Sequence, residues 1–144
     1  MVFSFKYKPI KLSKRIIYRP LIKLTIQGNS QSFDIFALLD SGSDIAVIPL
    51  DIAELLGLEF IGENKLSGIT NNKLDVKQSK MSVIVGKGHE QYKFTIPVLV
   101  PINRDFNKII IGRAGFFNQF KITFDEAMKR VEFKKVDPKL YKIL

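Results

Sequence analysis

An all-β, closed barrel-like domain with one or two short helices is the fold class this sequence predicts. Three observations carry the prediction. Apolar and polar residues alternate in many short runs, the period of half-buried strands. Turn signals such as Gly28-Asn29 and Gly86-Lys-Gly88 separate those runs. Helical signals are confined to two short stretches. With 144 residues and no repeat or long linker, the chain is expected to form one domain over 1–144, large enough to bury a core without covalent staples.

In chain order, Val2–Tyr7 reads as a strand with aromatics at 3, 5 and 7. Leu21–Ile26 follows and ends at the Gly28-Asn29 turn, and Ser32–Leu39 runs into Asp40. After Ile45–Ile48, Pro49 precedes a one- or two-turn helix over Asp51–Gly57, with Asp51 as its expected cap and Gly57 as its stop. Leu58–Ile61 and Lys65–Ile69 read as short strands, interrupted by turn chemistry over Ser67–Asn72. Leu74–Val85 and Tyr92–Val100 form a hairpin around Gly86-Lys-Gly88. Lys108–Ile111 is a short buried strand, Arg113–Gln119 a second short helix, and Phe120–Phe124 with Arg130–Val136 a last pair of strands.

Composition excludes several chemistries. There is no cysteine, which removes disulfides, thiolate metal sites and cysteine nucleophiles. The single histidine, His89, removes histidine-rich metal sites, and no cofactor or metal is expected. No apolar run is long enough to span a bilayer. MVFSFKYKPIKLSKR alternates instead of forming a signal-peptide core, so the default expectation is the cytoplasm. The net charge of +9 is uneven: residues 1–33 carry seven Lys or Arg and no acid, 34–128 have a net of −2, and 129–144 a net of +4. Attraction to nucleic acid or an anionic membrane would belong to those flanks.

The chemistry concentrates in ALLDSGSDIAVIP, residues 37–49. Asp40 follows an apolar run, and Ile45, Val47 and Ile48 resume almost at once. A carboxylate there has two plain explanations: it accepts hydrogen bonds from the following backbone N–H groups as an Asx-turn, or it pairs with an arginine. It also has a catalytic one, general acid–base work on water. A lone carboxylate is poor at this because it is ionised at neutral pH. Two carboxylates sharing one proton divide the roles, one held as acid and one as base. Asp40-Ser-Gly occurs once, so the pair needs two copies of the chain, which the two-fold axis of a homodimer supplies.

Leu38-Leu-Asp-Ser-Gly-Ser-Asp44 resembles the active-site loop of the retropepsin-like aspartic proteases, the single-domain family that includes retroviral proteases. A second signature follows far downstream, Ile110-Ile111-Gly112-Arg113 and then AGFFNQF, with Gly112 lying 72 residues beyond Asp40. Leu66-Ser-Gly-Ile-Thr-Asn-Asn72 resembles the flap that closes over a bound peptide. The resemblance covers roughly residues 18–136 and implies the closed retropepsin (acid protease) barrel. It implies an aspartic endopeptidase with Asp40 as the catalytic carboxylate, paired with Asp40 of the other subunit. Ser41 would hold the two loops together across the axis, and Gly42 would let backbone lie close to carboxylate and peptide. Asp44 and Arg113 match two positions that meet in an ion pair, with Gly112 and Arg113 as structural support. Gly68, Ile69, Thr70 and Asn71, together with Asp44, would contact substrate. The chain departs from the commoner family pattern in having Ser for Thr after the Asp. Its flap is less glycine-rich, about twenty residues precede the match, and a basic tail carries Leu140, Tyr141, Ile143 and Leu144 as interface candidates.

A peptide or unfolded protein bound as an added strand is the expected substrate. Ile45, Ile69 and Ile111 are expected to favour apolar side chains beside the cleaved bond. His89 reads as a solvated hairpin residue, Gly86-Lys-Gly88 lacks the spacing of a phosphate loop, and Phe116, Phe117 and Phe120 read as core. Ser41 has no histidine base. Two other readings remain at this point: a non-catalytic peptide-binding or assembly module that kept the fold, and a basic nucleic-acid-binding β-barrel. The second would use Phe3-Ser-Phe-Lys-Tyr-Lys8 as a stacking surface.

Overall fold

The computed structural model describes residues 2–67 and 73–137, with 62–67, 73 and 74 by backbone alone. In chain order the strands are β1 (Val2–Lys6), β2 (Lys8–Leu12), β3 (Arg15–Arg19), β4 (Leu21–Gln27), β5 (Ser32–Leu39) and β6 (Ala46–Val47). Helix α1 (Leu50–Leu56) comes next, then β7 (Gly62–Ser67), β8 (Lys73–Lys87), β9 (Glu90–Pro101), β10 (Ile110–Ile111), β11 (Phe120–Asp125) and β12 (Arg130–Lys135).

Six of these strands close a barrel. The order runs β4, β5, β10, β6, β9, β8, and β8 returns to β4 through Thr25↔Ile84, Ile26↔Val83 and Gln27↔Ser82. Closure over these three pairs removes part of the open edge that a flat sheet would leave. The alternation read in the sequence becomes an inside and an outside. In β4, Ile22, Leu24 and Ile26 are buried, and Lys23 between them is exposed. Val83, Val85, Ile96, Val98 and Ile111 complete the barrel interior.

A second sheet, β1-β12-β11, is glued to the barrel by aromatic rings. Phe3 stacks on Phe133 at 5.1 Å and meets Phe120 edge-on at 5.8 Å. Offset and edge-to-face contacts of this kind add to the burial of the rings themselves. Phe3 and Tyr7 are buried and Phe5 packs against the core. The stacking surface expected of Phe3–Lys8 is therefore spent on folding: burying three rings is worth more than leaving them in water for a ligand.

Four other expectations change. β2 and β3 form a hairpin that the sequence did not announce, because its turn, Ser13-Lys14, has no glycine or asparagine and relies on Ser13 at φ 50°. The stretch 58–61 is not a strand. It follows the edge of β8 through two isolated bonds, Ile61 N–H to Gln78 O (2.8 Å) and Ser79 Oγ to Glu59 O (2.5 Å). Arg113–Gln119 forms consecutive turns instead of a helix. Gly115 sits at φ 79°, outside the helical region, and its N–H is taken by the Asn118 side chain. Asp51 does not cap α1; Pro49 is the N-cap residue, without a side-chain bond. The Asp51 carboxylate instead joins Glu54 in holding Arg104, on the loop between β9 and β10. Gly57 ends the helix in the left-handed conformation, as expected. His89 is exposed at the β8–β9 tip.

Replacing Phe3 by alanine is expected to cost about 3–5 kcal/mol, read as a shift in the denaturant midpoint. The Glu54 carboxyl, held by Arg104, titrates below the usual glutamate range. The stabilisation from this pair is complete above the unfolded glutamate's range and lost as pH falls through the lowered value. In an NMR titration, Arg104→Ala should return Glu54 to the ordinary range.

Candidate active site

The Asp40 loop owes its position to one crossing. β10 lies between β5 and β6: Ile111 pairs with Leu39 in parallel, and Ile110 pairs with Val47 in antiparallel. The segment 40–45 connects the two flanking strands, so it must pass over the end of β10, where Gly112 sits. An added Cβ on Gly112 would lie 2.7 Å from both the carbonyl carbon and oxygen of Ile45. No side chain fits there, and this is the physical reason for a glycine after Ile110-Ile111.

Backbone hydrogen bonds lace the crossing. Asp40 N–H donates to Ile111 O (3.0 Å), Arg113 N–H to Ser43 O (2.9 Å) and Ala114 N–H to Asp44 O (2.8 Å). The loop also closes on itself: Ser43 N–H donates to Asp40 O (3.2 Å) and Ser43 Oγ to Ile45 O (2.9 Å). Asp40 Oδ1 accepts the Gly42 N–H at 2.9 Å. That bond is the Asx-turn of the plain reading, and among the described residues no other hydrogen bond engages the carboxylate. An added Cβ on Gly42 would stand 3.2 Å from the same oxygen.

Asp40 is half-buried, and Ser41 and Gly42 are exposed. The motif therefore lies at the surface of one chain, open to whatever faces it. The Asp44 carboxylate and the Arg113 guanidinium form an ion pair. Both side chains are largely exposed, 83% and 55%, so the contact orients the loop more than it stabilises the fold.

The family model described as retroviral aspartyl protease matches residues 17–124. The chain belongs to the retroviral aspartyl protease family. No curated protein matches it. Among solved structures, it is similar to a retropepsin-like aspartic protease from Rickettsia conorii, with a TM-score of 0.59 and 17% identity over 92% of this chain and 91% of that one. The protease of EIAV, solved with the inhibitor HBY-793, gives a TM-score of 0.46 at 20% identity over 72% of this chain and 88% of that one. The retroviral protease-like domain of Ddi1 from Leishmania major gives 0.48 at 12%, over 82% and 95%.

Within this family fold, the residues singled out in the sequence separate into groups. Asp40, Ser41, Gly42, Asp44, Gly112 and Arg113 gather at the one crossing. Gly68, Ile69, Thr70 and Asn71 lie outside the described residues, as do Leu140, Tyr141, Ile143 and Leu144. The arms that lead to the expected flap are present as β7 and β8, paired up to Ser67↔Lys73. Ile45 is half-buried beside the loop, but Ile111 is fully buried. Its inward position in the core removes it from any substrate-contacting set. Sequence reading missed two residues. Ser43 makes three bonds within and beneath the loop, and the only hint was a second serine three positions after Asp40. Arg104 reaches back 53 and 50 positions to Asp51 and Glu54, a pairing that no local pattern announces.

Gly112→Ala should destabilise the chain by about 1–3 kcal/mol through overpacking against Ile45. Arg113→Ala should change stability by less than about 1 kcal/mol. Chemical denaturation of the two variants beside wild type checks both values, and the order of the two effects is the discriminating result.

Proposed function

We propose that this chain is an aspartic endopeptidase that works as a homodimer, with Asp40 from each subunit forming one active site. The observation that carries the reading is the half-buried Asp40 in an exposed Asp-Ser-Gly loop, locked over Gly112 in a chain of this family. One chain supplies one such carboxylate. A two-fold axis beside the loop would bring a second, and two carboxylates at close range share a proton.

In this reading the ionised Asp40 takes a proton from a water held between the carboxylates. The protonated partner donates a hydrogen bond to the scissile carbonyl oxygen. Attack gives a tetrahedral diol, which collapses as the leaving nitrogen gains a proton. No covalent intermediate is formed. Gly42 keeps the loop slim where peptide backbone would pass, and Ser41 would bond across the axis. Asp44, with Gly68, Ile69, Thr70 and Asn71 of the flap, would contact an extended peptide, and Gly112 and Arg113 would hold the loop beneath them. The outer edge of β11 has no strand partner among the described residues, which leaves sheet edge for a second subunit. The proposal takes residues 1–144 as one domain acting in the cytoplasm, the default for a chain without disulfide chemistry.

Wild type should cleave an unfolded test protein within about pH 3–7, the range in which coupled carboxylates exchange roles. Asp40→Asn should abolish cleavage while still sedimenting as a dimer. Equal cleavage by the two proteins, or a monomer that cleaves, would sink the proposal.

A further inference from the structure

The barrel closes along only part of its last seam. β4 and β8 pair at Thr25↔Ile84, and the same antiparallel register would carry on to Leu24 with Val85 and Lys23 with Gly86, but the ladder stops. Gly86 stands just beyond the break. It sits at φ 154°, and an added Cβ would lie 1.9 Å from Glu90 O, so β8 takes a course there that other residues cannot follow. The two strands diverge around a groove of about 530 Å³.

The groove is strongly one-signed. Lys6, Lys8, Lys23 and Lys87 line it, against a single acid, Asp34. Asp34 already accepts a hydrogen bond from Thr25 Oγ1 at 2.6 Å. None of the four lysines makes an ion pair with another described residue. Two of them are held in place by rings: Lys8 Nζ lies 4.8 Å from the centre of Phe36, and Lys87 Nζ 4.9 Å from that of Phe5. Lys6 and Lys8 precede the stretch matched by the family model, so part of the groove lies outside that match.

We propose that this groove binds an extended acidic segment of a partner protein, added as a strand along the open edge of β4. Unpaired ammonium groups around a concave, partly apolar cleft concentrate negative charge. The unpaired edge offers main-chain hydrogen bonds. Side chains of an added strand alternate in direction, so the carboxylates of an alternating acidic and apolar segment face the lysines on the outer side, where Lys23 stands opposite Phe36, and its apolar groups turn inward toward Leu24. Single-stranded nucleic acid fits less well, because it needs open aromatic faces for stacking and the lysines cover one face each of Phe36 and Phe5.

The test uses the full chain carrying Asp40→Asn, so that no probe is cut, and fluorescein-labelled (Glu-Leu)4 in about 50 mM salt, where charge contacts are weakly screened. Anisotropy should show saturable binding. K8E/K23E/K87E should weaken it at least about tenfold, and the charge-matched K11E/K14E/K121E by less than about twofold. The neutral pair K23Q/K87Q, checked for an unchanged melting curve, should give an intermediate loss. Absence of saturable binding, equal losses in the two triple variants, or tighter binding of a twelve-residue oligothymidylate than of the peptide would each overturn the proposal.

Discussion

The close passage of the 40–45 loop over Gly112 is the constraint on which the rest of the site depends. A strand-to-strand connection that crosses the end of a third strand has nowhere to put a side chain beneath it. Once Gly112 allows the approach, backbone groups of Asp40, Ser43 and Asp44 find partners on Ile111, Arg113 and Ala114. These are main-chain bonds, indifferent to which side chains the loop carries. They hold the carboxylate of Asp40 at a set height above the barrel, and the exposed Asp44–Arg113 pair then fixes the loop's orientation. The site is thus built from the backbone outward, with its chemical group added last.

Much of this was legible before any coordinates, and the reasons are physical. Period-2 alternation located most of the strands, because a closed barrel has one dry and one wet side along each of them. The Asp-Ser-Gly and Ile-Ile-Gly-Arg stretches were legible because few residue types satisfy a crossing of this kind. The parts that were not legible depend on contacts between distant residues. The β2–β3 hairpin is mostly exposed, with only its Ile10↔Ile17 pair and Arg19 half-buried, and its Ser13-Lys14 turn carries no glycine or asparagine to announce it. The turns over 113–119 look helical until Gly115 adopts a positive φ against Ile96 and Pro97. Asp51 has the look of a cap, and only the arrival of Arg104 from the β9–β10 loop explains its use.

The aromatic residues show the same dependence. Their spacing at 3, 5 and 7 fits a strand in any setting. Whether the rings face a ligand or a core is decided by Phe120 and Phe133, more than a hundred positions away. A basic, aromatic N-terminus that reads locally as a surface for nucleic acid becomes the third strand of a sheet.

That sheet also sets the order of events during synthesis. β1 leaves the ribosome well ahead of its partner β12, since Val2 lies opposite Lys134, 132 positions later. At 5–20 residues per second, roughly ten seconds separate the two. For that interval Phe3, Phe5 and Tyr7 have no sheet to join. Contacts this distant in sequence also form late for entropic reasons. Docking of the N-terminal strand is therefore a closing step of folding, and a nascent chain interrupted before residue 130 holds its first strand unpaired, an apolar and cationic segment for chaperones to cover.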